Sequence, residues 1–223
     1  MNKELRGIFA VWKPKGPSSY DVIREIKKRI TESKIGHAGT LDPKASGILV
    51  IAVGREATKK LSEEVAKEKE YRASIRLGVT SSTDDAEGIK TITRPIIRAK
   101  KKDIEVLLRG MVGTVMQIPP AYSAIKLQGQ EAYKRVRAGE RVEMKPREVL
   151  IKSISLVSYR WPYLIIDVVT GPGVYIRSIA RDVGRGLRVG GYLSSLVRTR
   201  VGEFTKKQAV HIKVRFNTPR KRS

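Results

Sequence analysis

The segment 36–43 contains residue types that could do chemistry. It reads GHAGTLDP, so an imidazole, His37, and a carboxylate, Asp42, lie within eight residues that also hold two glycines. Because Pro43 disfavours helical angles at the residue before it, we expect Asp42 on an extended or turn segment. Such a cluster is most often only a turn. A carboxylate on a tight loop beside a buried strand is, however, also a place where a rigid scaffold carries function.

Strands and helices must position these residues. The apolar run 48–53, which reads ILVIAV, predicts a buried strand directly after the loop. Apolar periodicity predicts the further strands 8–12, 71–77, 112–118, 147–158 and 163–169, and helices at 22–30, 57–65, 104–111, 131–138 and 176–187. Strict alternation of strand and helix is not evident, so the pattern does not favour a Rossmann-like parallel sheet.

The charge of the chain indicates a polyanionic partner. The sequence has 46 Lys and Arg against 22 Asp and Glu, a formal net charge of +24. Nucleic acid is the favoured partner, and a membrane surface is the alternative. No strongly amphipathic basic helix with an apolar face supports the membrane alternative. With no Cys and two His, a structural zinc site, a disulfide scaffold and thiol catalysis are disfavoured.

The apolar stretch 8–12 is too short for a signal peptide, so we expect a soluble cytoplasmic protein. A chain of 223 residues can form one large domain or two small ones.

Further segments combine aromatic side chains with charged ones. Tyr71 begins an alternating strand, and the segment 171–177 reads GPGVYIR. Between them, the segment 117–129 is stiffened by two prolines, and the basic helix that follows interleaves tyrosines with Lys and Arg, as an RNA loop would require. This part could equally be a surface hairpin with core tyrosines. We assign only a loop role to the acidic turn 84–87. We assign a structural role to the segment 13–19, which reads KPKGPSS and begins at Lys13.

These segments resemble, in the same order along the chain, the motifs of the TruB family of RNA pseudouridine synthases. The resemblance covers about the first 210 residues. It implies an α+β fold with a long mixed, mostly antiparallel sheet flanked by helices. It also implies an enzyme that isomerises uridine to pseudouridine at position 55 of the TΨC loop of tRNA, with the base flipped out of its stack.

The resemblance also implies roles for individual residues. Asp42 is the catalytic carboxylate, Arg177 pairs with it and orients it, and Tyr71 stacks on the uracil. Tyr175 and Leu196 shape the base pocket, and His37 fills the gap that the flipped base leaves. Tyr122 and Lys126 belong to an RNA-binding insertion at about 117–147.

The isomerisation involves no redox change and no phosphate transfer, so we expect no cofactor and no metal. We expect residues 1–212 to form the catalytic domain and 213–223 to form a basic, disordered tail. There is no room for the C-terminal RNA-binding domain that usually follows in the family. The expected partner is the T-arm stem-loop of tRNA, bound by a monomer without an obligate protein partner or a membrane.

Two alternatives remain open at this point. A non-catalytic RNA-binding protein would explain the charge equally well, but it would not explain why Asp42, Tyr71 and Arg177 all lie at motif positions. The guide-RNA-directed branch of the family would keep the chemistry and change the substrate. We favour a stand-alone tRNA enzyme, because that branch depends on a C-terminal domain that we do not find in this sequence.

Overall fold

The computed structural model describes residues 5–31, 34–93 and 98–211. The chain divides into two compact units, which are described separately below. Unit 1 comprises Met1–Glu70 and Val197–Ser223, and unit 2 comprises Tyr71–Leu196.

The described residues form thirteen strands and six helices, which do not alternate strictly. The strands are β1 (Gly7–Lys13), β2 (Ile35–Ala38), β3 (Ser46–Val53), β4 (Lys69–Leu77), β5 (Val79–Ser81), β6 (Lys90–Ile92), β7 (Gly113–Gln117), β8 (Lys126–Leu127), β9 (Gln130–Glu131), β10 (Arg147–Arg160), β11 (Tyr163–Thr170), β12 (Gly191–Val201) and β13 (Phe204–Thr205). The helices are α1 (Ser19–Lys27), α2 (Arg55–Lys59), α3 (Leu61–Ala66), α4 (Lys101–Gly110), α5 (Ala132–Arg137) and α6 (Ile176–Gly186). Strands β4 and β12 contribute residues to both units.

The centre of unit 1 is β3. It pairs antiparallel with β1 and with β2, and its first residues pair in parallel with the end of β12. Alternate residues of β3 enter different apolar clusters: Leu49, Ile51 and Val53 pack with the apolar residues of α1, and Ile48 and Val50 with a second group. Because successive strand residues point to opposite faces, a strand buried on both sides needs the continuous apolar run that the sequence shows.

Unit 2 contains the sheet order β4-β11-β10-β7. Strand β10 pairs antiparallel with β11 on one side and with β7 on the other. Helices α4 and α6 pack over this sheet, and their apolar residues share one cluster with the inward residues of β4, Ala73, Ile75 and Leu77. Among the described strand pairs, β1–β3, β2–β3, β10–β11 and β7–β10 are antiparallel and β3–β12 is parallel, so the pairing is mixed and mostly antiparallel, as predicted.

Most predicted elements are confirmed, and the differences have local causes. The helix predicted at 57–65 is two short helices, α2 and α3, separated at Lys60. Strand β2 was not predicted, because glycine and alanine are weak strand formers and β2 depends on pairing with β3. The strand β12 and the hairpin β5–β6 were also not predicted.

Within the described ranges, no helix is long and apolar enough to cross a membrane. The basic tail predicted at 213–223 lies outside the described residues.

One close backbone approach in unit 2 gives a stability prediction. A Cβ added at Gly184 of α6 would lie 2.1 Å from the backbone nitrogen of Gly191. Since backbone cannot move aside as a side chain can, we expect Gly184→Ala to lower the free energy of unfolding by about 2–3 kcal/mol. Urea denaturation measures this change. At Gly110, the last residue of α4, an added Cβ meets nothing within 4 Å, so Gly110→Ala should leave stability unchanged or raise it. Equal effects of the two substitutions would contradict the packing described here.

Candidate active site

Asp42 lies in unit 1, on a loop that we call the Asp42 loop, residues 39–47. The carbonyl of Asp42 accepts a hydrogen bond from the amide of Ala45 at 3.0 Å, which closes a turn with Pro43 at its second position. Asp42 is half-buried and has neither helical nor strand structure. The expectation of an extended or turn conformation is therefore confirmed.

A buried lysine holds the second half of the loop. Lys13, at the end of β1, is fully buried, and its Nζ donates hydrogen bonds to the carbonyls of Ala45 at 2.7 Å, Pro14 at 3.1 Å and Pro43 at 3.5 Å. The amide of Gly16 donates a second hydrogen bond to the Pro43 carbonyl at 2.8 Å. These bonds fix the backbone on the C-terminal side of Asp42, which gives Lys13 the structural role that the sequence suggested.

A buried arginine holds both ends of the same loop. Arg198 on β12 is 1% exposed, and it donates from Nε to the carbonyl of Ile48 at 2.7 Å and from an Nη to the carbonyl of Gly39 at 2.9 Å. Gly47 has φ +120°, and an added Cβ there would lie 2.2 Å from the backbone oxygen of Arg198. Only glycine therefore allows the loop to pass this close to β12.

Ser19 at the start of α1 completes the support. Its hydroxyl donates to the carbonyl of Leu41 at 3.1 Å and accepts from the amide of Leu41 at 2.9 Å. The residue directly before Asp42 is thus bound through both of its backbone groups. Hydrogen bonds to the backbone on both sides of Asp42 therefore hold the loop in place. A catalytic group needs rigid support of this kind.

Burial changes the acid–base properties of the surrounding bases. It lowers the pKa of Lys13 to about 8, although the nearby charge of Asp42 acts in the opposite direction. Burial and the charge of Arg198 also lower the pKa of Lys69 to about 8. The same two causes lower the pKa of His37, so this imidazole is neutral at pH 7. His37 lies on β2, and its Nδ1 is buried without a hydrogen-bond partner among the described residues.

Unit 2 contains the other predicted site residues. Tyr71 is 7% exposed and begins the alternation of buried residues along β4. Leu196 on β12 is half-buried against the apolar cluster of this unit. Tyr122 is half-buried in the irregular segment after β7, and Lys126 is exposed on the short hairpin β8–β9.

Arg177 lies in the first turn of α6, and its side chain is almost fully buried. It donates to the carbonyl of Tyr122 at 2.9 Å, and it lies 3.6 Å from a carboxylate oxygen of Asp85. The structure therefore brings Arg177 and the backbone of Tyr122 together. The pairing of Arg177 with Asp42 stays a prediction.

The acidic turn has more than the loop role that we assigned to it. Asp84 pairs with Arg181 of α6 at 2.9 Å, and Asp85 faces Arg177, so two adjacent carboxylates meet two arginines one helical turn apart. Burial raises the pKa of Asp84, and the charge of Arg181 opposes that shift. Asp85 also accepts hydrogen bonds from the hydroxyl of Thr83 and the amide of Glu87. The sequence signal for these ion pairs was the cluster of carboxylates in the turn, which is unusual in so basic a chain.

The buried lysine gives a pH-dependent prediction. Between about pH 8 and pH 10.5, folded Lys13 has lost its proton while the unfolded chain still holds one. The unfolded state then binds more protons, so stability should rise with pH in this window. We expect the difference in free energy of unfolding between the wild type and Lys13→Met to change in favour of the wild type from pH 8 to 10.5.

Urea denaturation across this pH range measures the effect. Lys15→Met, at an exposed position two residues away, is the matched control, and its difference from the wild type should stay constant. A constant difference for Lys13→Met as well would mean that the Lys13 amine keeps its ordinary pKa and is not desolvated as described.

Comparison with known proteins extends these observations. Residues 27–176 match the family model described as TruB family pseudouridylate synthase (N terminal domain). The tRNA pseudouridine synthase B of Thermobifida fusca is 43% identical over 211 residues, which cover 91% of this chain and 72% of that protein. The protein of the same name from Cutibacterium acnes is 42% identical over 208 residues, which cover 92% of this chain and 70% of that protein.

Two solved structures have a similar fold. A chain of a Cbf5-Nop10-Gar1 complex superposes with a TM-score of 0.70 at 27% identity, covering 92% of this chain and 52% of that one. A chain of an H/ACA RNP bound to a substrate RNA containing 2'-deoxyuridine has a TM-score of 0.67 at 26% identity, again over 92% of this chain. This chain spans about half the length of each of these two solved chains. From the family match and these relatives, the chain belongs to the TruB family of pseudouridylate synthases.

Proposed function

We propose that this protein isomerises uridine to pseudouridine at position 55, in the TΨC loop of tRNA. The observation that carries the proposal is the Asp42 loop, whose backbone is held by buried side chains on either side of its one carboxylate. Relatives that are 42–43% identical over nine tenths of the chain are tRNA pseudouridine synthases B, which favours tRNA over other RNA substrates. The formal charge of +24 supports a polyanionic substrate of this kind.

The chemistry needs few groups. The bond between N1 of uracil and C1' of the ribose breaks, the uracil turns, and C5 forms the new bond to C1'. C5 loses its proton and N1 gains one, so the product is an isomer of the substrate. Asp42 supplies the carboxylate, either as a nucleophile or as the group that stabilises or deprotonates the sugar. No electrons and no groups are exchanged with another molecule, so the proposal includes no cofactor and no metal.

The remaining side chains bind and orient the substrate. In this proposal Arg177 orients the Asp42 carboxylate through a planar, charge-assisted contact. Tyr71 stacks on the uracil and can receive a proton from it, while Tyr175 and Leu196 form walls of the base pocket.

RNA contacts complete the proposal. His37, which is neutral at pH 7, stacks in the gap left by the flipped base. Tyr122 and Lys126 contact the T-loop from the insertion at about 117–147. The enzyme acts in the cytoplasm as a monomer, without an obligate protein partner.

A guide-directed activity is the competing function within the family. It is supported by the fold similarity to the chain from an H/ACA RNP, but at 26% identity this similarity is more distant than that to the tRNA enzymes. Addition of a guide RNA separates the two, because a stand-alone tRNA enzyme modifies its substrate without one.

The experiment compares wild type with Asp42→Asn on an unmodified tRNA transcript. We expect the wild type to form one pseudouridine, at position 55. Asp42→Asn should bind the transcript equally well but lower the rate by roughly three orders of magnitude or more, because it removes the reacting carboxylate. Carbodiimide labelling followed by primer extension locates the modified base.

Asp103→Asn, at an exposed aspartate in the first turn of α4, is the matched control and should retain the wild-type rate. An isolated T-arm hairpin in the same assay tests whether the stem-loop alone is recognised. If the wild type binds tRNA but modifies no site, the enzymatic proposal is wrong for this substrate. If Asp42→Asn stays active, the assignment of the catalytic carboxylate is wrong.

A further inference from the structure

Two neighbouring strands of unit 2 bring a pair of polar side chains to the start of α6. Gln117 is the last residue of β7 and Arg147 is the first residue of β10, and the two are direct partners in the antiparallel register. Both side chains contact the segment 173–175, which leads into α6. This segment ends in Tyr175, the residue that caps α6.

Gln117 binds both backbone groups of Tyr175. Its Oε1 accepts from the amide of Tyr175 at 2.8 Å, and its Nε2 donates to the carbonyl of Tyr175 at 3.2 Å. The Gln117 residue is 3% exposed, so water does not compete for these bonds. A primary amide used in this way pairs with the backbone as a neighbouring strand would, and it satisfies both the donor and the acceptor.

These two bonds hold the residue at which α6 begins. Tyr175 occupies the N-cap position with extended angles, φ −101° and ψ 115°, and its side chain makes no capping hydrogen bond. Its carbonyl also accepts from the amide of Ile179, the first bond of the helix. Gln117 therefore fixes the backbone of the N-cap residue itself, through both of its polar groups. Arg177 follows two residues later, so its place in the first turn depends on the same contact.

Arg147 fixes the ring of the same tyrosine. Its guanidinium carbon lies 5.1 Å from the centre of the Tyr175 ring, within the range of a cation–π contact. An Nη of Arg147 also donates to the carbonyl of Gly173 at 2.6 Å, in a tight turn where Gly173 has φ +78°. Gln117 thus holds the backbone of Tyr175, and Arg147 holds its ring and the turn before it.

We infer that Gln117 and Arg147 are positioning residues for the reaction, acting through Tyr175 and the first turn of α6. The inference rests on the proposed function, in which Tyr175 forms a wall of the base pocket and Arg177 orients the catalytic carboxylate. Neither residue acts on the RNA directly in this account. Their loss should therefore reduce the rate on bound tRNA and leave the affinity for tRNA nearly unchanged.

The test uses Gln117→Leu and Arg147→Lys in the full chain. Arg147→Lys keeps the positive charge, and with it the general attraction for RNA, but loses the planar group that covers the ring. We expect single-turnover rates at saturating tRNA to fall about tenfold or more in each variant, with dissociation constants for tRNA within about twofold of the wild type.

Arg76→Lys is the matched control. Arg76 lies over the ring of Tyr163 at 5.9 Å in the same unit and, like Arg147, has a buried Nε without a hydrogen-bond partner among the described residues. This substitution should leave the rate unchanged. A loss of rate equal to that of Arg147→Lys would show a general effect on unit 2 and would overturn the inference.

A second readout does not depend on activity. In protein labelled with 3-fluorotyrosine, the ¹⁹F resonance of Tyr175 is assigned as the signal that disappears in Tyr175→Phe. Arg147→Lys should shift this resonance, and Arg76→Lys should not. An unshifted Tyr175 signal, a wild-type rate in the folded variants, or a loss confined to tRNA affinity would each overturn the positioning role. A wild type that forms no pseudouridine would instead contradict the proposed function, and the ¹⁹F shift would still report how Tyr175 is held.

Discussion

The binding of backbone carbonyls by buried cations is the interaction on which the Asp42 loop depends. Lys13 binds the carbonyls of Pro43 and Ala45, and Arg198 binds those of Gly39 and Ile48. A loop with this many carbonyls turned inward would be unfavourable without donors, because buried acceptors must be paired. Lys13 and Arg198 pair these carbonyls, because each side chain has several N–H donors. Lys13 also places positive charge near the one carboxylate of the loop.

The same arrangement explains the sequence around the carboxylate. Arg198 can reach both ends of the loop only because β12 lies against Gly47, where no side chain fits. Buried cations are unfavourable by themselves, which is why burial lowers the pKa of Lys13 and Lys69. In unit 2, the segments that carry predicted site residues are held by other kinds of contact. Carboxylates of the acidic turn face the arginines of α6, and Gln117 fixes the start of that helix.

The sequence predicted the features that depend on local patterns. The apolar run of β3, the alternation in β4 and the turn at Asp42 follow from side-chain type and from Pro43, and the motif order identified the family. The contacts that hold the site could not be predicted, because they join residues far apart in sequence. Nothing in the sequence near Arg198 indicates that it binds Gly39, 159 residues earlier. A buried lysine also looks no different in sequence from the many exposed ones.

Hydrogen exchange and catalysis in Arg198→Lys test the central claim most directly. The backbone amides of residues 39–48 are followed by hydrogen–deuterium exchange, and pseudouridine formation is measured in single turnovers on saturating tRNA. We expect faster exchange confined to this loop, together with a rate at least about tenfold lower. Arg198 binds the two carbonyls through two separate nitrogens of a planar group, which the single nitrogen of a lysine does not reproduce. Faster exchange with a wild-type rate would show that the order of the loop does not matter for the reaction. Unchanged exchange would show that Arg198 does not hold the loop.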